Sequence, residues 1–307
     1  MNRHGVWHAL CRSRLALISL GVVALYFFTA LGVEVYSVRC EMTGVIPAYQ
    51  EGDAACRYNP PSEKHWLGTD YQGRDVLLRA IAGCATAVKV GVIAAAIAAV
   101  IGVALGAAAG YYGGRVDDVV VWLYSTFASM PTLLFILAFA LLFSRSFLSP
   151  GLLEAVRSCG KVLHAEPAML AVYLAIGLTG WVTLCRVVRA EAMRLREMPF
   201  VAAARVAGVS NPVIVLRHIL PNVMHLVIIY FTLSFAGAIM LEVIVSYLGL
   251  GVQGAPSWGV MISDGQERLW RGVWWEIAGA TGFMFVLVLA LNILGDALRD
   301  ALSSRSR

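Results

Sequence analysis

The residues with the clearest capacity for acid–base or metal chemistry lie in one polar stretch of the sequence. His65, Asp70 and Asp75 follow one another closely, and a histidine with two carboxylates could transfer protons or bind a metal ion. The same stretch contains Arg74 and Arg79, which can pair with these carboxylates, and aspartates beside glycine turns often cap helices. Capping and charge pairing are the favoured interpretation, so we predict neither a catalytic site nor a metal site.

Motifs of common enzyme classes are absent from the sequence. It contains no H-E-x-x-H zinc motif and no G-x-S-x-G nucleophile motif. It also lacks a G-x-x-x-x-G-K-[ST] nucleotide loop, because its only lysines are Lys64, Lys89 and Lys161 and none has that context. We therefore predict that the chain is not an enzyme. Any work that it does must draw energy from a partner or from an ion gradient.

Hydropathy determines which elements must position these residues. The chain is 59% hydrophobic and 14% charged, with a mean hydropathy of +0.75, which is too apolar for a soluble domain. A bilayer core needs about 20 apolar residues per helix, and strand-like alternation is absent. We therefore predict an all-α integral membrane protein with six transmembrane helices. The six apolar segments are Leu15–Tyr36, Val88–Ala109, Val119–Phe143, Ala168–Val188, Val223–Leu248 and Glu276–Leu294.

Charge asymmetry predicts the topology of these six segments. Basic residues are in excess on the side that would hold both termini, so both termini are predicted to be cytoplasmic. Arg3 and Arg12 precede the first segment, but that segment is longer than a signal-peptide core and is predicted to remain uncleaved. Pro131 lies inside the third segment and should kink it, either as a hinge along a pathway or, as we favour, as a static packing feature.

Ion coupling would require ionisable residues in the middle of the membrane. Lys89 and Glu242 are the candidates, and both lie near the outer ends of their segments. Glu242 could face a translocation pathway, although pairing with a neighbouring helix or an arginine is favoured, and Lys89 should extend toward the interface. Cys40 and Cys56 share the first polar loop, where a disulfide is permitted but two free thiols are favoured. No cofactor is predicted.

Glycine and amphipathic patterns indicate how some segments pack. Gly102, Gly106 and Gly110 form overlapping G-x-x-x-G steps, which predict close approach of another helix. The stretch from His65 to Ile81 is predicted to include an amphipathic helix at the outer interface, separate from the second span. Trp258 is predicted to anchor a turn-rich or re-entrant piece in the outer interface.

The connection between the fourth and fifth segments is the most structured of the predicted cytoplasmic loops. Strong helix formers fill its first part, Pro199 breaks it, and Gly208 with the turn at Ser210–Pro212 ends a second helical piece. A short helix–turn–helix is therefore predicted on the cytoplasmic side. Its small-residue surface favours a protein partner over lipid headgroups.

This connection resembles the EAA loop of permeases from binding-protein-dependent ABC importers. The stretch AAARVAGVSNPVIVLRHILPN has the small residues, the glycine and the Ile-Leu-Pro ending of that loop. Ala202 stands where the family usually has a glutamate, so the contact at that position should differ. The matching residues are Ala203, Ala204, Gly208, Ile219, Leu220 and Pro221.

Three further stretches resemble the C-type permeases of dipeptide and oligopeptide importers. They are LGTDYQGRDVLLR, AGYYGGRVDD and LGLGVQGAPSWG, in the family's order. The resemblance runs from about His65 to Leu302. It divides the chain into residues 1–64, with one span and a periplasmic loop, a permease domain at 65–302 with a coupling loop at about 190–222, and a cytoplasmic tail at 303–307.

The resemblance implies a half-transporter with the type I ABC importer permease fold in a bacterial inner membrane. Its expected partners are a B-type permease, two cytoplasmic ATP-binding subunits, a periplasmic or lipid-anchored solute-binding protein, a short peptide as substrate, and membrane lipids, but no nucleic acid. Nickel chelates or other small solutes are the alternative substrates. Glu242 and Pro131 are possible pathway or gating residues. The residues expected to contact the ATPase are Ala202, Ala203, Ala204, Arg205, Gly208, Ile219, Leu220 and Pro221.

Overall fold

We describe the fold from a computed structural model of the chain, which covers residues 13–144, 167–251 and 255–303. Most of these residues are helical, and they contain no β-strand beyond an isolated bridge between Thr69 and Asp75. The predicted all-α class is therefore confirmed.

The described helices follow the apolar segments of the sequence. In chain order they are α1 (Arg14–Thr43), α2 (Val76–Tyr112), α3 (Gly114–Ser129), α4 (Thr132–Ser144), α5 (Pro167–Arg196), α6 (Pro199–Val206), α7 (Asn211–Ile214), a π-turn (Val215–Ile219), α8 (Leu220–Tyr247), α9 (Trp258–Leu269) and α10 (Trp275–Ser303), with a 3-10 turn at Ala54–Cys56. Arg3, Arg12, Lys161 and tail residues 304–307, which entered the predictions above, lie outside the described residues.

Membrane-spanning length and apolarity are met by α1, α2, α5, α10 and the continuous stretch Asn211–Tyr247. The third predicted span differs from the expected kinked helix, because α3 and α4 meet at 90°. Met130 has an extended backbone (φ −87°, ψ 135°) and Pro131 offers no N–H to continue the helix. Counting this bent pair as one span gives six, in agreement with the predicted number.

The long helix α2 lies at the centre of the bundle, where it packs on α1, α5, α8 and α10. It begins at Val76, with Asp75 as its N-cap, and continues for 37 residues. The predicted interfacial helix separate from the second span is therefore wrong: its helical part is the first turns of α2. Asp75 accepts a hydrogen bond from the Leu78 N–H at 3.0 Å, and Gly83, which lies between the two predicted pieces, is a buried residue of the continuous helix.

The glycine steps of α2 fit closely against α5. A Cβ atom at Gly102, Gly106 or Gly110 would lie 3.0, 2.7 or 2.5 Å from a carbonyl oxygen of α5. These distances leave no room for a side chain, so the predicted close helix approach is confirmed.

The segment after α8 folds back onto the bundle. Trp258 is 1% exposed, and its indole N–H donates to the Ala80 carbonyl at 2.8 Å. Gly83 leaves room for this ring, because a Cβ there would lie 2.7 Å from the indole. The predicted interfacial anchoring of Trp258 is therefore wrong: Ser257 caps α9, and the ring is directed into the core.

Candidate functional site

We call residues 197–219, which join α5 to α8, the connecting segment. It contains α6, a turn, α7 and the π-turn, so the predicted helix–turn–helix is confirmed. Gly208 has φ +76°, and the Val209 and Gly208 N–H groups donate to the Ala204 and Arg205 carbonyls at 3.1 and 3.0 Å. This is a Schellman ending, in which a left-handed residue terminates the helix, and glycine adopts that conformation without steric strain.

The predicted contact residues of α6 divide between two faces. Ala202, Ala203 and Arg205 are exposed, whereas Ala204 is buried. Gly208 is also exposed, and a Cβ added there would meet no atom within 4 Å. Four of the predicted residues are therefore exposed, and Ala204 belongs to the core beneath α6.

The three residues of the Ile-Leu-Pro ending differ in exposure and lie where the connecting segment enters α8. Ile219 is fully buried, Leu220 is half-buried and Pro221 is exposed. The Leu220 N–H donates to the Val215 carbonyl five residues back, which defines the π-turn. A proline has no N–H and its ring clashes with the carbonyl four residues earlier, so a wide turn before Pro221 relieves that clash. These residues direct the chain into α8.

An apolar cluster attaches the connecting segment to three spanning helices. It is formed by buried side chains of α2, α5, α6, α7, the π-turn and α8, so the segment rests on the helix ends. The cluster consists of Ala107, Tyr111, Leu184, Val188, Ala192, Leu195, Val201, Ala204, Ile214, Ile219 and Val223.

Tyr111, near the end of α2, is a functional candidate that sequence reasoning missed. It is 5% exposed, and its hydroxyl donates to Asn211 Oδ1 at 2.8 Å. The guanidinium carbon of Arg205 lies 5.3 Å from the centre of its ring, within cation–π range. One tyrosine thus contacts both α6 and α7. The AGYYGGRVDD motif indicated that this turn matters, but nothing local indicated a partner 100 residues away.

An ion pair joins the last turns of α5 to α3. Arg189 donates from Nε and Nη2 to the two carboxylate oxygens of Asp117, at 2.5 and 2.6 Å. Arg196 donates to the Gly110 carbonyl at 3.4 Å. These contacts fix the end of α5 immediately before the connecting segment begins.

The opposite end of the bundle, which holds residues 44–75, carries the polar stretch considered first. His65 Nδ1 lies 2.8 Å from Asp75 Oδ2. Asp70 is fully buried and accepts from Arg74 Nε at 2.7 Å and Arg79 Nη1 at 2.6 Å. The predicted capping and charge pairing are therefore confirmed.

Arg79 is the centre of a larger charge cluster, which sequence reasoning did not predict. It is 4% exposed, and Nη1 also donates to Glu276 Oε1 at 3.2 Å. Its Nη2 lies 3.8 Å from Asp264 Oδ2. Burial raises the pKa of the Asp264 carboxyl, and the positive charges of Arg79, Arg268 and Arg74 oppose that rise. We call Asp70, Arg74, Arg79, Asp264, Arg268 and Glu276 the arginine–carboxylate cluster.

Glu242 is 1% exposed and accepts hydrogen bonds from Ser246 Oγ at 2.7 Å and Ser257 Oγ at 2.8 Å. Its partner outside α8 is thus the serine that caps the neighbouring helix α9, which agrees with the first of the two predicted partners, a neighbouring helix or an arginine. Whether Glu242 or Pro131 takes part in gating stays a prediction.

Two other polar predictions concern the first part of the chain. Lys89 Nζ lies 2.5 Å from Glu34 Oε2, so an ion pair joins α2 to α1 where only interfacial extension of the lysine was predicted. Cys40 and Cys56 are both free, as favoured.

Comparison with known proteins places the chain in a family. Residues 102–307 match the family described as "Binding-protein-dependent transport system inner membrane component". The chain is 37% identical over 263 residues to the oligopeptide transport system permease protein OppC of Escherichia coli (strain K12), covering 85% of this chain and 80% of that protein. It is 34% identical over 250 residues to the dipeptide transport system permease protein DppC of Bacillus subtilis (strain 168), covering 81% and 71%.

A third relative is similar over a greater length. The oligopeptide transport system permease protein OppC of Mycobacterium tuberculosis is 33% identical over 298 residues, which cover 96% of this chain and 92% of that protein. These matches confirm the resemblance to C-type permeases, and the type I ABC importer permease fold is that of the matched family. The chain therefore belongs to the family of binding-protein-dependent transport system inner membrane components.

Proposed function

We propose that the chain is the C-type permease subunit of an ATP-driven importer of short peptides and forms half of its translocation pathway. The observation that carries the proposal is the two-sided connecting segment. One side holds the exposed Ala202, Ala203 and Gly208, and the other is packed on α2, α5 and α8. A partner that binds the exposed side can therefore move the spanning helices. The relatives' printed names, which are peptide permeases, support the substrate class.

The exposed side of the connecting segment suits a protein groove. Val206 is 91% exposed and Phe200 41%. Apolar side chains grouped with small residues outside the apolar spans indicate a partner surface. We infer that a cytoplasmic ATP-binding subunit covers it, with both termini of the chain also cytoplasmic. Because Ala202 replaces the usual glutamate, that contact is apolar here, and Arg205 is the one charged residue of α6.

The remaining parts of the importer follow from the same proposal. The chain carries no nucleotide motif, so two partner ATPases supply the energy, a B-type permease completes the pathway, and a periplasmic or lipid-anchored binding protein delivers the peptide. Residues 65–302 form the permease domain, residues 1–64 an added span and loop, and residues 303–307 a tail. Pro131 sets the bend between α3 and α4, and Glu242 holds α9 to α8; both are proposed to shape the pathway.

The test is peptide uptake by the complete complex in proteoliposomes. Gly208→Asp places a side chain on the exposed surface and should reduce ATP-dependent uptake about tenfold or more, within the range of coupling between linked sites. Ala203→Trp should act alike, whereas a bulky residue at the buried Ala204 would disturb folding.

Gly44→Asp is the matched control. Gly44 also ends a helix with positive φ (+68°) and open space around it, but at the opposite end of the bundle, so it should retain uptake. Full uptake by Gly208→Asp, or uptake driven by a proton gradient without the ATPases, would overturn the proposal.

A further inference from the structure

The polar attachment of the connecting segment to α2 is concentrated on one residue, Tyr111. Within the described parts of the chain, the hydrogen bond from Tyr111 to Asn211 is the one side-chain hydrogen bond between this segment and a spanning helix other than its chain neighbours α5 and α8, which contribute the bonds Arg196–Glu197 and Asn222–His218. Arg205 stacks on the same ring at 5.3 Å. The other described contacts of the segment with α2 belong to the apolar cluster and have no directional preference.

We propose that Tyr111 is the positioning residue that transmits displacement of the connecting segment to α2. The inference rests on the proposed function and deepens it by naming the route of coupling. Tyr111 contacts α6 through its ring face and α7 through its hydroxyl, so it holds the two short helices in one relative orientation. A displacement of the segment therefore acts on the backbone of α2 at that residue.

Because Tyr111 is buried, its side chain is held in one orientation between α2 and the connecting segment. The side chain is 5% exposed, and Gly110 beside it abuts α5 so closely that a Cβ would lie 2.5 Å from the Arg189 carbonyl. The tyrosine cannot turn away without disturbing that helix interface. Apolar contacts permit sliding, whereas a hydrogen bond weakens steeply when its geometry changes, so the hydroxyl is the part that fixes register.

Tyr111→Phe removes the hydroxyl and keeps the ring. In the complex carrying this variant, the stimulation of ATPase activity by peptide-loaded binding protein should fall about fivefold. The reason is that one hydrogen bond changes an equilibrium constant by about a factor of five. Assembly with the ATPases and basal ATPase activity should not change. Tyr112→Phe, at the neighbouring tyrosine that is 47% exposed, removes the same group and should retain full stimulation.

A double-mutant cycle separates transmission from a general structural role. Asn211→Leu should cause a similar loss, and Tyr111→Phe with Asn211→Leu should cause no more than either alone, because both remove one interaction. Additive losses, or losses that follow reduced assembly with the ATPases, would overturn the inference. If Gly208→Asp abolishes uptake while Tyr111→Phe keeps full stimulation, only this inference fails; if Gly208→Asp has no effect, the proposed function fails.

Discussion

The two ends of the helix bundle are held together by different kinds of contact. At the end with residues 44–75, Arg79 is buried between Asp70 and Glu276, and its ion pairs join α2 to the loop and to α10. At the other end, Arg189 pairs with Asp117 between α5 and α3, but the connecting segment itself rests on an apolar cluster and on the hydrogen bond of Tyr111.

The difference indicates which end can move. Removing one partner of a buried ion pair is strongly destabilising, by about 3–5 kcal/mol, because the remaining charge is left uncompensated. A single neutral hydrogen bond contributes about 1 kcal/mol, and apolar surfaces can slide. The charged end is therefore suited to stay fixed, and the end that carries the connecting segment is suited to move.

The largest effect is expected from the arginine–carboxylate cluster. Asp70→Ala leaves the guanidinium of Arg79 without its nearest carboxylate, so the free energy of unfolding should fall by about 3–5 kcal/mol. Thermal unfolding of the purified complex in detergent measures this. Asp53→Ala is the control, because Asp53 is exposed and its carboxyl only caps a short turn, so its pKa is lowered chiefly by the Ala55 N–H. Equal stability of the two variants would contradict the comparison.

A smaller effect is expected where α2 meets α5. Gly110→Ala places a Cβ 2.5 Å from the Arg189 carbonyl, and such overpacking should destabilise the protein by about 1–3 kcal/mol. Gly237→Ala, in α8, meets nothing within 4 Å and should be neutral or stabilising, since alanine is the better helix former. The same thermal measurement compares them, and a stabilising Gly110→Ala would show that the interface is looser than described.

The smallest effect is expected at Asp264, the partly exposed member of the cluster. Burial raises its carboxyl pKa in the folded state, so the folded protein holds this proton to a higher pH than the unfolded chain does. Its contribution to stability therefore falls as the pH rises from the unfolded pKa through the folded pKa. Asp264→Asn should remove that pH dependence and change stability at neutral pH by no more than about 1 kcal/mol. The measurement is the melting temperature of the variant and of the parent protein between pH 4 and pH 7. If the two plots of melting temperature against pH have the same slope, Asp264 is not the source of this pH dependence.

Local patterns predicted a large part of this architecture. Hydropathy predicted the apolar segments. Pro199 and Gly208 predicted the two limits of α6, because the fixed φ of proline and the conformational freedom of glycine act within a few residues. The glycine steps of α2 indicated a tight helix contact. Four of the residues predicted to contact a partner, Ala202, Ala203, Arg205 and Gly208, are exposed, and their contact role stays a prediction.

Contacts between distant parts of the chain were beyond sequence reasoning. Arg79 meets Glu276 across 197 residues and Tyr111 meets Asn211 across 100, and a helical period does not identify the facing helix. The angle at Pro131 was also missed, because a proline can kink or end a helix and the choice depends on packing. The burial of Trp258 depended on the space left by Gly83, which lies on another helix.

The length of α2 has a mechanical consequence. A helix of 37 residues is about 55 Å long, which exceeds a bilayer core of roughly 30 Å. The ion pairs of Arg79 fix this helix near one end, and in the proposed coupling route the connecting segment displaces it near the other end, at Tyr111. A tilt of about 5° about the clamped end would carry the loaded end by about 5 Å, the rise of one helical turn. Rigid-body rotation of α2 therefore converts a small angle into a displacement as large as a side chain, without any change in the structure of the helix itself.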